Sequence, residues 1–310
     1  MQETRSQPGP YDPCYCRSGR KYKFCHYPID SAPAADRREL SQKMYIALWE
    51  RSANYFGDQG CYKWMGSILA KYLPNLVLDI GCGNGDGIVA IKQACPSSRI
   101  ISCDDNAYCL QTTQDRIKAM GLNVELIRRL RQRSAGDGYH QMEAVAGILK
   151  TPTELIDISL IEADIIWDKE FRDFLKTLAK FDAITVWLIG TYHLKPECRN
   201  LGSKVEAGIY RLKVQNSVYT LADQVLRVGG VLQIVDRGEL PREKHLIDET
   251  YESHREQAEG TSLEVVQVDF IQYEELSNGT GVSTIRTLGL SGRMPEHNQL
   301  AMNSVISIKR

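Results

Sequence analysis

"NLVLDIGCGNGDG" (residues 75–87) decides how the rest of the chain is read. A run of buried-strand type carries one acid, Asp79, and is followed at once by Gly81, Cys82, Gly83, Asn84 and Gly85. Glycines after a strand permit the positive φ of a tight β–α turn and remove Cβ atoms where backbone must approach a ligand closely. A helix starting just beyond offers unpaired N–H groups to an anionic part of that ligand. Asp79 would repel a phosphate and suits a cation such as an α-ammonium. The combination points away from a dinucleotide and toward a zwitterionic nucleoside.

Outward from this turn the pattern alternates. "DGIVAIKQAC" (86–95) reads as a helix, "RIISCDD" (99–105) as a strand and "NAYCLQTTQDRIKAMG" (106–121) as a helix ended by Gly121. "ISLIEADI" (158–165) and "FDAITVWLI" (181–189) are buried strands flanking the helical "DKEFRDFLKTLAK" (168–180). "QNSVYTLADQVLRVGG" (215–230) reads as a helix and "VLQIVDR" (231–237) as the next strand, with late strands at 263–271 and 303–309. This order predicts an α/β fold: a Rossmann-like, doubly wound, mostly parallel sheet with helices on both faces. Ahead of it, a helix starts within 30–38, with Leu40, Met44, Ala47 and Leu48 on its apolar face, and a short helix covers about 60–72.

Two further acidic positions accompany the glycine turn. Asp104 ends the second strand about twenty residues on, where a ribose diol is hydrogen-bonded, with Asp105 as its neighbour and competitor. "EADI" (162–165) places a carboxylate at the next strand end, where an adenine amino group can be received. Together these features resemble the class I S-adenosylmethionine-dependent methyltransferases over roughly residues 60–240, with "VLDIGCGNG" as the first motif. The resemblance implies that Asp79 and the Gly81–Gly85 backbone hold the methionine part of S-adenosylmethionine. It implies that Asp104 holds the ribose, that Asp164 and Ile165 flank the adenine, and that Val186 and Trp187 lie beneath the methionyl group.

The positions just past the fourth strand, Gly190, Thr191, Tyr192 and His193, then face the transferred methyl. His193 is the candidate base and Tyr192 the candidate acceptor-orienting or sulfonium-facing ring, against the alternative of a loop histidine that only packs. His140 and Asp168 are weaker candidates. The segment "LIGTYH" (188–193) lacks the Asn/Asp-Pro-Pro-aromatic motif used on exocyclic base amines, and Pro-Cys occurs only as Pro13-Cys14. The acceptor expected is an oxygen or nitrogen nucleophile other than those base amines. About sixty residues separate Asp104 from Asp164, and the excess at 122–155 carries Arg128, Arg129, Arg131 and Arg133. This insertion reads either as a substrate-recognition element or as a solvated helical face.

A second cluster opens the chain. "DPCYCRSGRKYKFCH" (12–26) holds Cys14, Cys16, Cys25 and His26, four soft ligands matching a closed tetrahedral zinc site with no open position for catalysis. So short a segment has little core, and the metal would supply its folding energy. The stretch closely resembles the SEC-C motif, the zinc knuckle at the tail of the preprotein-translocase motor ATPase, with Arg17 standing where a glycine is usual. The resemblance implies docking of a protein, or of nucleic acid through the basic face, against the alternative of a structural clip. Residues 1–30 form the knuckle, 31–72 a linker with N-terminal helices, and 73–310 the methyltransferase domain.

The bulk properties exclude little and agree with this. Of 310 residues 43% are hydrophobic and 25% charged, the net charge is −1, and no stretch approaches eighteen uninterrupted apolar residues. The expectation is a cytoplasmic protein without membrane insertion. The six other cysteines, Cys61, Cys82, Cys95, Cys103, Cys109 and Cys198, read as small buried hydrophobes in a reducing compartment. The expected function is methyl transfer to a macromolecule docked through the knuckle. The alternatives are a small-molecule methyltransferase with a structural knuckle, or a non-catalytic cofactor-binding scaffold.

Overall fold

The structure, a computed structural model, describes residues 8–14, 20–134, 140–190, 204–274 and 300–310. Its centre is one eight-stranded sheet. The strands in chain order are β1 (Leu76–Ile80), β2 (Arg99–Asp104), β3 (Val124–Ile127), β6 (Ile158–Glu162), β7 (Phe181–Trp187), β8 (Leu226–Glu239), β9 (Leu263–Gln272) and β10 (Leu300–Lys309). A separate antiparallel hairpin is made by β4 (Leu130–Ser134) and β5 (His140–Ala144). In space the order is β3-β6-β2-β1-β7-β8-β10-β9; the first six strands run parallel, and β10 lies antiparallel between β8 and β9. From β1 the chain builds outward on one side and then jumps to β7 on the other. That jump is a topological switch point, the place where open α/β sheets bind ligands beyond their strand ends.

Helices cover both faces. On one lie α2 (Ala34–Asp58), α3 (Cys61–Ala70), α4 (Asp86–Ala94) and α5 (Ala107–Ala119); on the other lie α6 (Lys169–Thr177), α7 (Lys204–Val225) and α8 (Lys244–Ala258). Strand alternation sorts the core accordingly. Val77, Ile100, Ala183, Trp187, Val231 and Val235 pack toward α2–α5, whereas Leu78, Ile101, Ile184, Val186, Leu232 and Ile234 pack toward α6–α8. Cys61, Cys82, Cys95, Cys103 and Cys109 are buried free thiols, as expected, and burial raises the pKa of each. Cys198 lies outside the described residues.

Three expectations need correction. On α2 the buried stripe is Arg38, Ser41, Gln42, Trp49, Ser52, Ala53 and Phe56, while Ala47 is exposed and Leu40, Met44 and Leu48 are half-exposed. Its first half turns polar residues inward because Arg38 and Gln42 meet the Asp105–Asn106 corner, whereas Trp49, Ala53 and Phe56 join the apolar core. The 122–155 insertion is not a helical face: it supplies edge strand β3, parallel to β6, and the β4–β5 hairpin. Its arginines do not form one surface. Arg129 is buried and paired with Asp168 and, at 2.8 Å, with Glu170, Arg131 pairs with Glu143, and exposed Arg128 reaches Gln111. Finally, α7 starts at Lys204, well ahead of residue 215, and α8 occupies a stretch for which the sequence reading gives no element.

Candidate functional site

Asp79 sits mid-sheet with Ser102 and Thr185 in register on the two neighbouring strands. Both hydroxyls donate to its carboxylate, at 2.7 and 2.9 Å. The group is buried, and burial raises its pKa although the two hydrogen bonds pull it back. Among the described residues it has no ion-pair partner. A carboxylate so placed gains from a cation more than a solvated one would, because the low-dielectric surroundings strengthen the pairing.

The turn beyond is left-handed three times, with φ of +88° at Gly81, +54° at Gly83 and +89° at Gly85. Any L-residue would be strained there. The space that a Cβ would take is filled by the protein itself. At Gly81 it would meet Ile189 Cδ1 at 2.7 Å, at Gly83 Trp49 Nε1 at 2.7 Å, and at Gly85 the Thr113 side chain at 3.1 Å. The glycines thus serve the turn's dihedrals and let neighbouring side chains close over it. Gly85 caps α4 at its N-terminus.

Asp104 fastens this turn to the second strand. One carboxylate oxygen accepts from Gly83 N at 3.1 Å and the other from Asn106 N at 2.8 Å. Asp105, its competitor, is within 3.7 Å of Arg38 on α2. Gln42 Nε2 also donates to the Asp105 carbonyl, and Asn106 Nδ2 to the Gln42 carbonyl, so α2 is stapled to this corner. Past β6, Asp164 is buried and accepts from Ile166 N at 2.7 Å, with Ile165 buried beside it.

These elements surround one cleft at the switch point. Asp79, Gly81, Cys82, Gly83, Asn84, Asp104, Asp105, Asp164, Ile165 and Trp187 all line it. Gly85 and Val186 are not among its lining residues: Gly85 lies at the helix start, and Val186 points to the opposite face of the sheet. Trp187 is buried, and its indole Nε1 finds no hydrogen-bond partner among the described residues. Next to it Leu188 takes φ +56°, an unusual left-handed conformation for a branched residue, and turns the chain over the cleft.

The cleft has a wall that the motifs did not announce. Tyr45 and Trp49 of α2, Tyr62 of α3, and Tyr210 and Val214 of α7 complete it. A Cβ on Gly190 would run into the Tyr45 hydroxyl. These side chains sit on helices outside any motif, and only their aromatic character on α2 hinted at a role. Tyr192 and His193 lie outside the described residues, and His140 opens β5 with its side chain also outside them. Asp168 caps α6, accepting from Phe171 N at 3.0 Å, and pairs with Arg129, a structural task.

At the N-terminus, Cys14, Cys25 and His26 are buried together with their ligand atoms within 4.8 Å of one another. Both sulfurs approach His26 Nδ1, at 3.2 and 3.4 Å. Cys16 lies outside the described residues. A Pro13–Lys21 bridge and the Tyr22–Phe24 turn bring the two ends of the segment together. Among the described residues no helix is long and apolar enough to cross a membrane.

No family model matches the chain. Over 146 residues, 44% of its length, it is 26% identical to the ribosomal RNA small subunit methyltransferase C of Stutzerimonas stutzeri (strain A1501), a stretch covering 42% of that protein. The chain therefore spans less than half of the curated relative it matches. Among solved structures it is similar to TrmN from Thermus thermophilus, with TM-score 0.42 and 12% identity over 80% of this chain and 48% of that one. It is similar to the O-methyltransferase from Bacillus cereus in complex with SAH, with TM-score 0.40 and 11% identity over 80% of each. It is also similar to the [4+2]-cyclase SpnF, with TM-score 0.43 and 9% identity over 80% of each. Likeness at this level does not carry an activity across. The Rossmann-like fold rests on this chain's own strand order and glycine turn.

Proposed function

We propose that the chain is an S-adenosylmethionine-dependent methyltransferase that acts on an oxygen or nitrogen nucleophile of a macromolecule docked through an N-terminal zinc knuckle. One observation carries the reading. Asp79, Asp104 and Asp164, at or just beyond the ends of three adjacent parallel strands, converge on one cleft beside a left-handed glycine turn. Asp79 fits the α-ammonium, Asp104 or Asp105 the ribose hydroxyls, and Asp164 with Ile165 the adenine. The buried Trp187 N–H offers an unsatisfied donor to the same occupant. The relative that modifies ribosomal RNA supports both the activity and a macromolecular acceptor.

When bound, S-adenosylmethionine supplies an electrophilic methyl group on a sulfonium. Asp79, the glycine turn, Asp104 and Asp164 would hold it, and His193 would take the acceptor's proton. The protein's share is alignment and exclusion of water. Tyr45, Trp49 and Tyr210 wall the cleft with aromatic surface suited to a sulfonium. Burial raises the pKa of the Tyr45 hydroxyl well above normal, so it stays protonated and acts as a donor. Gly190 lines the cleft, and His193, three positions further along the sequence, is the base proposed here, with Tyr192 as the ring proposed beside it.

Cys14, Cys25 and His26 fit three ligands of a tetrahedral zinc site, and Cys16 is proposed as the fourth. Incubation of the protein with methyl-labelled S-adenosylmethionine and fractionated cell extract tests the activity. Label should enter a macromolecular fraction and be absent with Asp79→Asn; label confined to small molecules would remove the macromolecular acceptor, and no label anywhere would remove the enzyme.

A further inference from the structure

Among the described residues, most exposed aromatic rings belong to the N-terminal knuckle segment. Four aromatic rings are exposed among the described residues, and three belong to it: Tyr11 at 62%, Phe24 at 57% and Tyr27 at 46%, with Phe270 the fourth. Along 21–27 the chain divides sharply. Tyr22, Cys25 and His26 turn inward, whereas Lys21, Lys23, Phe24 and Tyr27 face solvent. The inward set suffices to build the ligand cluster and its small core. Tyr27 meets Tyr22 edge-to-face with ring centres 5.8 Å apart, whereas Tyr11 and Phe24 lie outside the buried cluster, and a merely structural clip has no use for those two rings.

The same rings are interleaved with cations. Lys23 Nζ lies 5.3 Å from the Tyr11 ring centre and 5.8 Å from that of Phe24, and Lys21 Nζ lies 5.5 Å from Tyr11. The nearby acids are hydrogen-bonded within the segment. Asp12 accepts from Gly9 N at 2.7 Å, and Asp30 accepts from the Tyr22 hydroxyl at 2.9 Å. The outer face therefore combines aromatic rings with ammonium groups resting over them, a weak cation–π contact that an exposed lysine can give up for a phosphate as a base takes the ring face. The knuckle continues through α1 (Tyr27–Asp30) into α2, and α1 packs on α2. That helix carries Tyr45 and Trp49 to the cofactor cleft.

From this we infer that the knuckle is a single-stranded RNA-binding platform, with Tyr11 and Phe24 stacking bases and Lys21 and Lys23 contacting phosphates. Stacking on rings with lysines alongside is how strands are held without reading sequence. An acidic protein surface would use the lysines but leave Phe24 without a flat partner. The inference deepens the proposed macromolecular acceptor and rests on that reading of the knuckle.

The test is fluorescence anisotropy of the full chain, without cofactor, against a labelled single-stranded RNA of about 12 nucleotides. Tyr11→Leu and Phe24→Leu, which keep apolar bulk but remove the stacking face, should each weaken binding about tenfold and leave its salt dependence unchanged. Lys21→Ala with Lys23→Ala should instead lower the slope of log K against log salt by about 1.4. Unchanged thermal unfolding midpoints establish that the variants fold. Equal affinity of parent and leucine variants overturns the platform. So does binding of a duplex, or of an oligoglutamate of equal charge, as tightly as the single strand; the latter result would identify an acidic protein partner. Because cofactor is absent, failure here leaves the methyl-transfer assay to be judged by its own label uptake.

Discussion

Asp104 and Asp105 are adjacent in sequence yet hold different posts. Asp104 ties the glycine turn to the second strand, and Asp105 faces Arg38 of α2. Asp104→Asn should therefore weaken S-adenosylhomocysteine binding roughly 10- to 100-fold by calorimetry, the range of a lost hydrogen bond to a charged group. Asp105→Asn should leave affinity within about threefold and cost mainly stability. Equal losses in the two variants would move the ribose contact onto both residues. Asp79 makes a pH prediction. Burial raises its pKa, so in the free protein it takes up a proton at a higher pH than a solvated aspartate. A protonated carboxyl cannot pair with an ammonium, so cofactor affinity should decline as pH falls, starting above the ordinary carboxylate range. In Asp79→Asn the affinity should be low and independent of pH over the same span. A parallel decline in that variant would assign the titration to another group.

Elements with a simple environment were legible in the sequence, and those with a mixed one were not. "LVLDI" is covered on both faces and reads as a continuous apolar run, so β1 and its turn could be located to the residue. The first half of α2 packs on the polar Asp105–Asn106 corner, so its inward stripe starts with Arg38, Ser41 and Gln42, and a search for an apolar face chose the wrong side. Strand β3 is an edge strand of four residues, three of them half-buried, with little alternation to read. The hairpin arginines looked like one basic patch, yet Arg129 is an anchor: its buried guanidinium holds Asp168 at the start of α6. Removing one partner of such a buried pair leaves the other uncompensated. Arg129→Ala should therefore destabilise the protein by about 3–5 kcal/mol in denaturant unfolding. A loss under about 1 kcal/mol would show the pair to be solvated and return Arg129 to the substrate-recognition reading.

Across the whole molecule, two features couple stability to conditions. His254 on α8 is buried beside Tyr219, whose hydroxyl is 3.1 Å from its Nδ1 and 3.2 Å from Ser307 Oγ. Burial lowers its pKa to about 4; nearby Asp236 opposes this and Arg211 reinforces it. The unfolded chain takes up this proton near pH 6.5 and the folded chain does not. Stability should thus be lost as pH falls from about 6.5 to 4, by about 3 kcal/mol from this residue. Denaturant unfolding of His254→Gln should show a shallower decline over that window; an identical decline would assign the proton uptake elsewhere. The knuckle supplies the second coupling. About one zinc per chain is expected by metal analysis, and it should be lost in the Cys14→Ser, Cys16→Ser double variant. Metal content indifferent to those changes would remove the knuckle from the account.

On the function proposed above, the cleft at the switch point receives a nucleoside whose cationic amino-acid tail lies against Asp79 and the glycine turn. Calorimetric titration of ligand-free protein with S-adenosylmethionine and S-adenosylhomocysteine tests it most directly. The predicted result is saturable one-site binding of both, reduced roughly 10- to 100-fold by Asp79→Asn. Absence of binding to the parent protein, or binding untouched by that substitution, would contradict it.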